Sequence, residues 1–354
     1  MLEKLINELE QKIKLDPENS NLISEYALAL LAFGDFPEAL NHFEKAAKIK
    51  PNIQNLQNLA YFYHYEGVPV DRDSWQFKEK EAIDILEEII KQEPASFFPY
   101  NLLGEIYTSN GQYHRAMGLL KKAYLIQPTL ENLNNLGVCF YHKSMLKEAA
   151  ECFRTAFLTN NYQQTLNPIL SCGICMAKIG MREEALLLAE NLLAESAKFD
   201  NWMEKLEDQI AGMYYLLNDF DKFVEIYSEL DLFRYEVHCL PPYLYSLWKL
   251  GQFEKTEECF EEHINKLEID MQDILRDDDP DWDVVSKEER VEEIKADIQF
   301  LKTTKENIFE GKKPEFVFEP EIARGCYVFG CKMHNHPYYI ELEEKKSGED
   351  TIQI

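Results

Sequence analysis

The residues whose types and spacing could do chemistry cluster late in the chain. Cys326, Cys331, His334 and His336 form a C-x4-C-x2-H-x-H arrangement. Two thiolates and two imidazoles make a tetrahedral donor set for zinc, and an extended backbone would place His334 and His336 on one face. The spacing lies outside the usual zinc patterns, and no C-x2-C pair stands beside it. The alternative is a reduced, packed hairpin. The expectation is therefore a chain without a cofactor, with zinc at these four residues as the competing reading.

Two other groups invite the same question. Cys172 and Cys175 form a C-x2-C, but they fall inside an amphipathic helical pattern with no strand before it. Redox pairs of this type open a helix after a strand, so these two read as core cysteines. Asp277, Asp278, Asp279, Asp281 and Asp283 could gather calcium. They lack the central Gly and the closing Glu of the helix-loop-helix calcium loop, so they read as a solvated turn. No phosphate-binding glycine loop, G-x-S-x-G elbow, H-E-x-x-H or kinase signature occurs. No nucleophile, base and orienting group can be named together, so no catalytic residue is assigned and the chain is read as a non-enzyme.

The elements that must position these residues come from a repeat. "GDFPEALNHFEKAAKIKP" (Gly34–Pro51) and "GQYHRAMGLLKKAYLIQP" (Gly111–Pro128) share length and apolar spacing. A small residue recurs at Ala39, Ala82, Ala116, Ala149 and Ala185, continued by Phe223 and Thr256, in steps of 43, 34, 33, 36, 38 and 33 residues. Each period carries two amphipathic helices. Between the helices of the second unit lie extra residues near "VPVDRDSWQF", around Trp75.

This pattern resembles the tetratricopeptide repeat, a helix–turn–helix unit of about 34 residues. The resemblance runs from about Asn21 to His263. It is best in the third unit, with Leu103, Gly104 and Tyr107 on one helix, Ala116, Leu120 and Ala123 on the next, then Pro128. The implied fold is all-α: a tetratricopeptide-like helical-hairpin solenoid of about seven units with a small C-terminal β-containing cap. The expected parts are a capping helix over 1–19, the repeat array over 20–268, an acidic linker and helix over 269–312, and a β-rich segment over 313–354. Ser20 or Asn21 is the expected N-cap of the helix after "DPENS". Ser286 and Glu289 have capping-box spacing for a helix over Ser286–Phe309. "PEFVFEPEIARGCYVFGCKMHNHPYYIELEE" is rich in aromatic and β-branched residues and reads as two or three short strands.

In such an array the first helix of each unit lines the concave groove. The side chains expected there are Gln54, Gln57, Asn58, Tyr61 and His64 in the second unit, and Phe98, Asn101 and Glu105 in the third. The fourth adds Glu131, Asn134, Asn135 and Tyr141, and the fifth Asn167 and Ser171. Amides both donate and accept, so an Asn/Gln ladder can pair with the main chain of an extended peptide. Relatives that grip chaperone C-termini clamp a carboxylate with Lys and Arg. Here the matching positions are Asn21, Ser24, Leu28, Gln57, Asn58, Phe98 and Asn101, so that clamp is not implied.

Charge bounds the partner. The chain carries 37 Lys and Arg against 64 Asp and Glu, a net of −27 over 354 residues. Residues 251–310 hold 20 acidic and 8 basic side chains of that total. Nucleic acid and anionic membrane need a basic footprint, so neither is expected. No run of about 18 apolar residues occurs, and the N-terminus lacks the apolar core of a signal peptide. Eight scattered cysteines suit free thiols in a reducing cytosol, so a cytoplasmic location is expected. The expected function is a scaffold or adaptor that holds a protein or extended peptide, basic in one version, in the groove. The alternatives are an acidic, immunity-type inhibitor of a basic toxin or nuclease, and a peptide-responsive regulator.

Overall fold

The computed structural model describes residues 2–66, 68–69, 75–159, 165–196, 198, 206–230, 237–276, 284–339 and 341–342. Among them are sixteen α-helices in a tetratricopeptide-like hairpin solenoid. The chain divides into two compact units, one of residues 1–168 with 321–354 and one of residues 169–320.

The first unit holds α1 (Leu2–Leu15), α2 (Ser20–Phe33), α3 (Phe36–Ile49), α4 (Ile53–Tyr65), α5 (Glu79–Ile90), α6 (Phe98–Ser109), α7 (Tyr113–Ile126), α8 (Leu130–His142) and α9 (Leu146–Thr159). α1 buries only Leu9 completely and lies against α2 as a cap. The N-cap of α2 is Asn19, not Ser20 or Asn21. Its extended backbone lets its side chain accept from Leu22 N at 3.2 Å, and Ser20 is already helical. The hairpins α2–α3, α4–α5, α6–α7 and α8–α9 then follow. Their turns use local chemistry: Gly34, at φ 91°, closes α2 and Asp35 caps α3.

The repeat spacing is a packing rule. Ala39, Ala82, Ala116 and Ala149 are all 0% exposed, each on the second helix of its hairpin. The partner helix supplies its own small residue. A Cβ on Gly104 would meet Leu120 Cδ2 at 2.7 Å, so α6 and α7 approach closely only because that atom is missing. The insert of the second hairpin pairs Val68–Pro69 (β1) antiparallel with Trp75–Gln76 (β2).

The second unit takes most of α10 (Asn167–Lys178), then α11 (Arg182–Ser196), α12 (Glu207–Leu216), α13 (Phe220–Tyr227), α14 (Pro241–Lys249), α15 (Phe253–Arg276) and α16 (Val284–Phe309). Ala185, Phe223 and Thr256 occupy the repeat position and are again 0% exposed. Thr256 is tolerated there because its hydroxyl donates back to Gln252 O at 2.8 Å. α15 runs through the boundary expected at 268. α16 begins two residues before Ser286, so Ser286 sits inside the helix and does not cap it. The five aspartates between 277 and 283 lie outside the described residues.

The β-rich cap expected over 313–354 is not found among the described residues. Among the described residues from 313 onward there is no strand. Residues 314–320 do alternate, with Phe316, Phe318 and Pro320 turned inward and Glu315, Val317 and Glu319 exposed. That period of two marks extended chain with one covered face, and here the cover is helical. Phe316 lies on α12 at Gly212, where any Cβ would come within 1.9 Å of its ring. Tyr215 donates its hydroxyl to Pro314 O at 2.6 Å. An extended segment held by helices satisfies its polar groups without a ladder.

Candidate functional site

Three first helices of the first unit turn amides toward one groove. Asn58 on α4 and Asn135 on α8 stand at one repeat position, two residues before the small Ala60 and Gly137, whereas Asn101 on α6 stands three before Gly104 and matches Gln57 and Asn134. Gln54, Gln57 and Asn58 share one face of α4 through their three- and four-residue spacing. Neighbouring amides do a different job. Asn55 ties α4 to the preceding helix by donating to Lys50 O at 2.9 Å, and Asn132 closes a reciprocal capping box with Thr129.

The groove is filled by the chain's own residues 321–339, running from α8 back to α4. Asn135 donates to Ala323 O at 2.8 Å and accepts from Ala323 N at 2.8 Å. Asn58 does the same for Phe329, at 3.1 Å and 2.8 Å. Asn134 donates to Glu321 O at 2.7 Å, and Gln57 to Tyr327 O at 3.1 Å. Gln54 accepts from Tyr339 N at 2.9 Å, and the Tyr339 hydroxyl accepts from Ala95 N. Asn167 reaches the Glu321 carboxylate. The amide ladder therefore reads main chain, and its occupant is in cis. Asn101, on α6 at the repeat position of Gln57 and Asn134, is 1% exposed and neither of its amide atoms meets a protein partner.

Side chains anchor what the amides hold. Tyr327, Val328 and Phe329 are 2%, 0% and 0% exposed. The Phe98 ring stacks on Phe329 at 4.9 Å and meets His336 at 4.8 Å. Below them lies Glu105, 1% exposed, whose carboxylate accepts from Tyr65 OH. Burial pushes the Glu105 carboxyl up to about 7, against the pull of that hydrogen bond and of Arg324. Tyr65 and Arg324 were not among the sequence candidates, because nothing in their spacing marks them.

The remaining candidates fall into place unevenly. Tyr61 packs its ring on Tyr65 at 4.7 Å, and burial raises its phenol. His64 faces Glu79 at 3.9 Å, and burial lowers its affinity for a proton. Glu131 stands half-buried in the first turn of α8, and Tyr141 is buried with its edge on His142. Ser171 is buried on α10 in the second unit.

Of the four residues proposed for zinc, three converge. Cys326 Sγ, Cys331 Sγ and a His334 nitrogen lie within 4.8 Å of one another. His336 stays apart, with its Nδ1 on Val328 O at 3.1 Å. The Cys326 thiol, the His334 ring and nearby backbone N–H groups hold Cys331 below the ordinary thiol range, while Cys326 is raised in turn. Cys172 and Cys175 are both 0% exposed, and burial pushes Cys175 up to about 12, as fits core cysteines.

Comparison with known proteins places the central hairpin. The tetratricopeptide repeat profile matches residues 99–130, which span α6 and α7. No curated protein matches the chain. Among solved structures it is similar to a tetratricopeptide repeat protein from Parabacteroides merdae, at 14% identity over 78% of this chain and 98% of that one, with a TM-score of 0.49. It is also similar to a chain of the APC/C hetero-tetramer Cut9-Hcn1, at 19% identity and a TM-score of 0.45, covering 70% of this chain. It spans 46% of that chain's length. YrrB, described as a TPR protein with an unusual peptide-binding site, is similar at 16% identity over 62% of this chain and 93% of its own, with a TM-score of 0.31. The tetratricopeptide repeat profile thus matches this chain at residues 99–130, the α6–α7 hairpin, and the same small or buried position is filled in the hairpins on either side of it.

Proposed function

We propose that this protein is a protein-binding scaffold whose groove takes an extended polypeptide by its main chain. At rest the groove holds residues 321–339 of the same chain, and a partner segment exchanges with them. The observation that carries this reading is the paired use of Asn58 and Asn135. Each satisfies both the N–H and the C=O of one residue, a contact that any extended sequence can make. Tyr327 and Phe329 set the selectivity, so a competing segment needs two large apolar or aromatic side chains two residues apart. The role is binding, not catalysis.

A second reading rests on a different observation. Glu254, Glu257, Glu258, Glu261 and Glu262 are all exposed on α15. A basic partner, as an immunity-type inhibitor would meet, would be steered to such a face and released by salt.

One experiment separates the two. Affinity capture from the native lysate is run at low and high salt, with elution by a synthetic peptide of residues 319–341 or its scrambled form. A partner that resists salt and is eluted by the native peptide alone supports exchange in the groove. A basic partner released by salt and indifferent to the peptide supports the acidic face and removes the groove from partner binding.

A further inference from the structure

The groove segment carries a preformed knuckle between Cys326 and His334. Gly330 at φ 76° and Asn335 at φ 54° turn the backbone. Cys331 N donates to Val328 O at 3.3 Å, His336 N to Cys331 O at 2.9 Å, and Gly330 N to Pro337 O at 3.1 Å, which closes the loop. Its base is fixed to α4 through Gln57 and Asn58, so the loop does not have to be organised when a ligand arrives.

We propose that Cys326, Cys331 and His334 bind one zinc ion, which staples the groove segment into its turn. The three donor atoms lie within 4.8 Å of one another, and Cys331 Sγ stands 3.3 Å from His334 Nδ1. Zinc bonds of about 2.3 Å to sulfur and about 2.0–2.1 Å to nitrogen put tetrahedral donors about 3.4–3.8 Å apart. Only a small contraction is needed to reach that spacing.

The burial pattern also suits a metal. Cys331 is buried and Cys326 half-buried, while His334 is exposed, so an ion enters from solvent and water takes its fourth position. On binding, each of the two thiols gives up its proton to solvent and nothing is oxidised. His336 is not a ligand in this arrangement. The proposal does not rest on exchange in the groove, because the knuckle is formed with the segment in place.

The test is a titration of the full-length, reduced chain with cobalt(II), followed by zinc(II). The expected result is a thiolate-to-cobalt charge-transfer band that saturates at one ion per chain and is bleached by one equivalent of zinc. Cys331→Ser abolishes the band, and Cys239→Ser leaves it intact. His334→Ala alters an exposed side chain that the fold does not need, and weakens binding by at least about tenfold, the scale of a disturbed metal site. If Cys331→Ser does not fold, the wild-type and His334→Ala titrations decide. The site is refuted if the reduced chain gives no charge-transfer band, or if His334→Ala titrates as the wild type. Recovery of a Cys326–Cys331 disulfide in a chain that takes up no metal after reduction would refute it as well.

Discussion

The Asn58 amide grips Phe329 on both sides of its Cα, donating to its carbonyl at 3.1 Å and accepting from its N–H at 2.8 Å. The two residues lie 271 positions apart in the chain. Two repeat units away, Asn135 repeats the grip on Ala323. Ala323 and Phe329 are six residues apart, a reach of about 20 Å in extended chain. A residue that recurs with the repeat thus finds a main-chain partner at both ends of the span.

Removing those amides should free the segment while leaving the helices standing. Asn58→Ala leaves a buried N–H and C=O without partners, at about 1–3 kcal/mol for an unsatisfied group. The expected result in Asn58→Ala/Asn135→Ala is faster hydrogen exchange at the amides of Ala323 and Phe329, by at least about tenfold, a change of about 1.4 kcal/mol. Amides in the middle of α6 and α7 should exchange as in the wild type. Equal acceleration everywhere would mean that the ladder supports the whole unit and has no local role.

Much of this was legible in the sequence, and the limits have physical causes. The alanine positions from Ala39 to Ala185 announce the hairpins because close helix contact admits few side chains. Asn58 with Asn135, and Gln57 with Asn101 and Asn134, announce a polar groove because each set recurs in register with the hairpins. The occupant was not legible. The alternation over 314–320 and the aromatics at Tyr327 and Phe329 are what a strand would show, since a strand and an extended segment on helices share a period of two. The Cys and His spacing offered four candidate ligands beside the expectation of no metal. The turn at Gly330 and Asn335 gathers three, and hands His336 to the Val328 carbonyl.

Anchoring by Phe329 is expected to exceed that of any single amide. The ring is 0% exposed and stacked on Phe98, so Phe329→Ala should cost about 3–5 kcal/mol, the usual range for a buried aromatic. Met333, 71% exposed on the same loop, is the matched control. Limited proteolysis should cut Phe329→Ala within the segment at protease levels that leave Met333→Ala whole. Resistance equal to that of the control would show that the segment is held by the amides alone.

Asn101 should behave differently from the amides that grip the segment. Asn101 is buried, yet neither of its amide atoms bonds to protein. Asn101→Ala is therefore expected to cost less than Asn58→Ala or Asn135→Ala, with a smaller shift of the urea midpoint. A loss as large as theirs would mean that Asn101 also holds the segment.

The groove also carries a built-in pH dependence through Glu105. Its carboxyl is raised from 4.5 to about 7, so the folded state holds a proton that the unfolded chain has already lost. Between those values stability falls as pH rises, because the unfolded state binds fewer protons there. A tenfold change in proton affinity corresponds to about 1.4 kcal/mol, so the whole effect is roughly 3 kcal/mol at most. Its full weight is felt above about pH 7, where Glu105 is ionised in its buried position beneath Tyr327. Glu105→Gln keeps the shape and an acceptor for Tyr65 but cannot ionise. Urea unfolding at pH 5 and pH 8 should show the variant gaining on the wild type only at the higher pH. An equal difference at both values would assign the effect of the substitution to lost packing or hydrogen bonding and not to the charge.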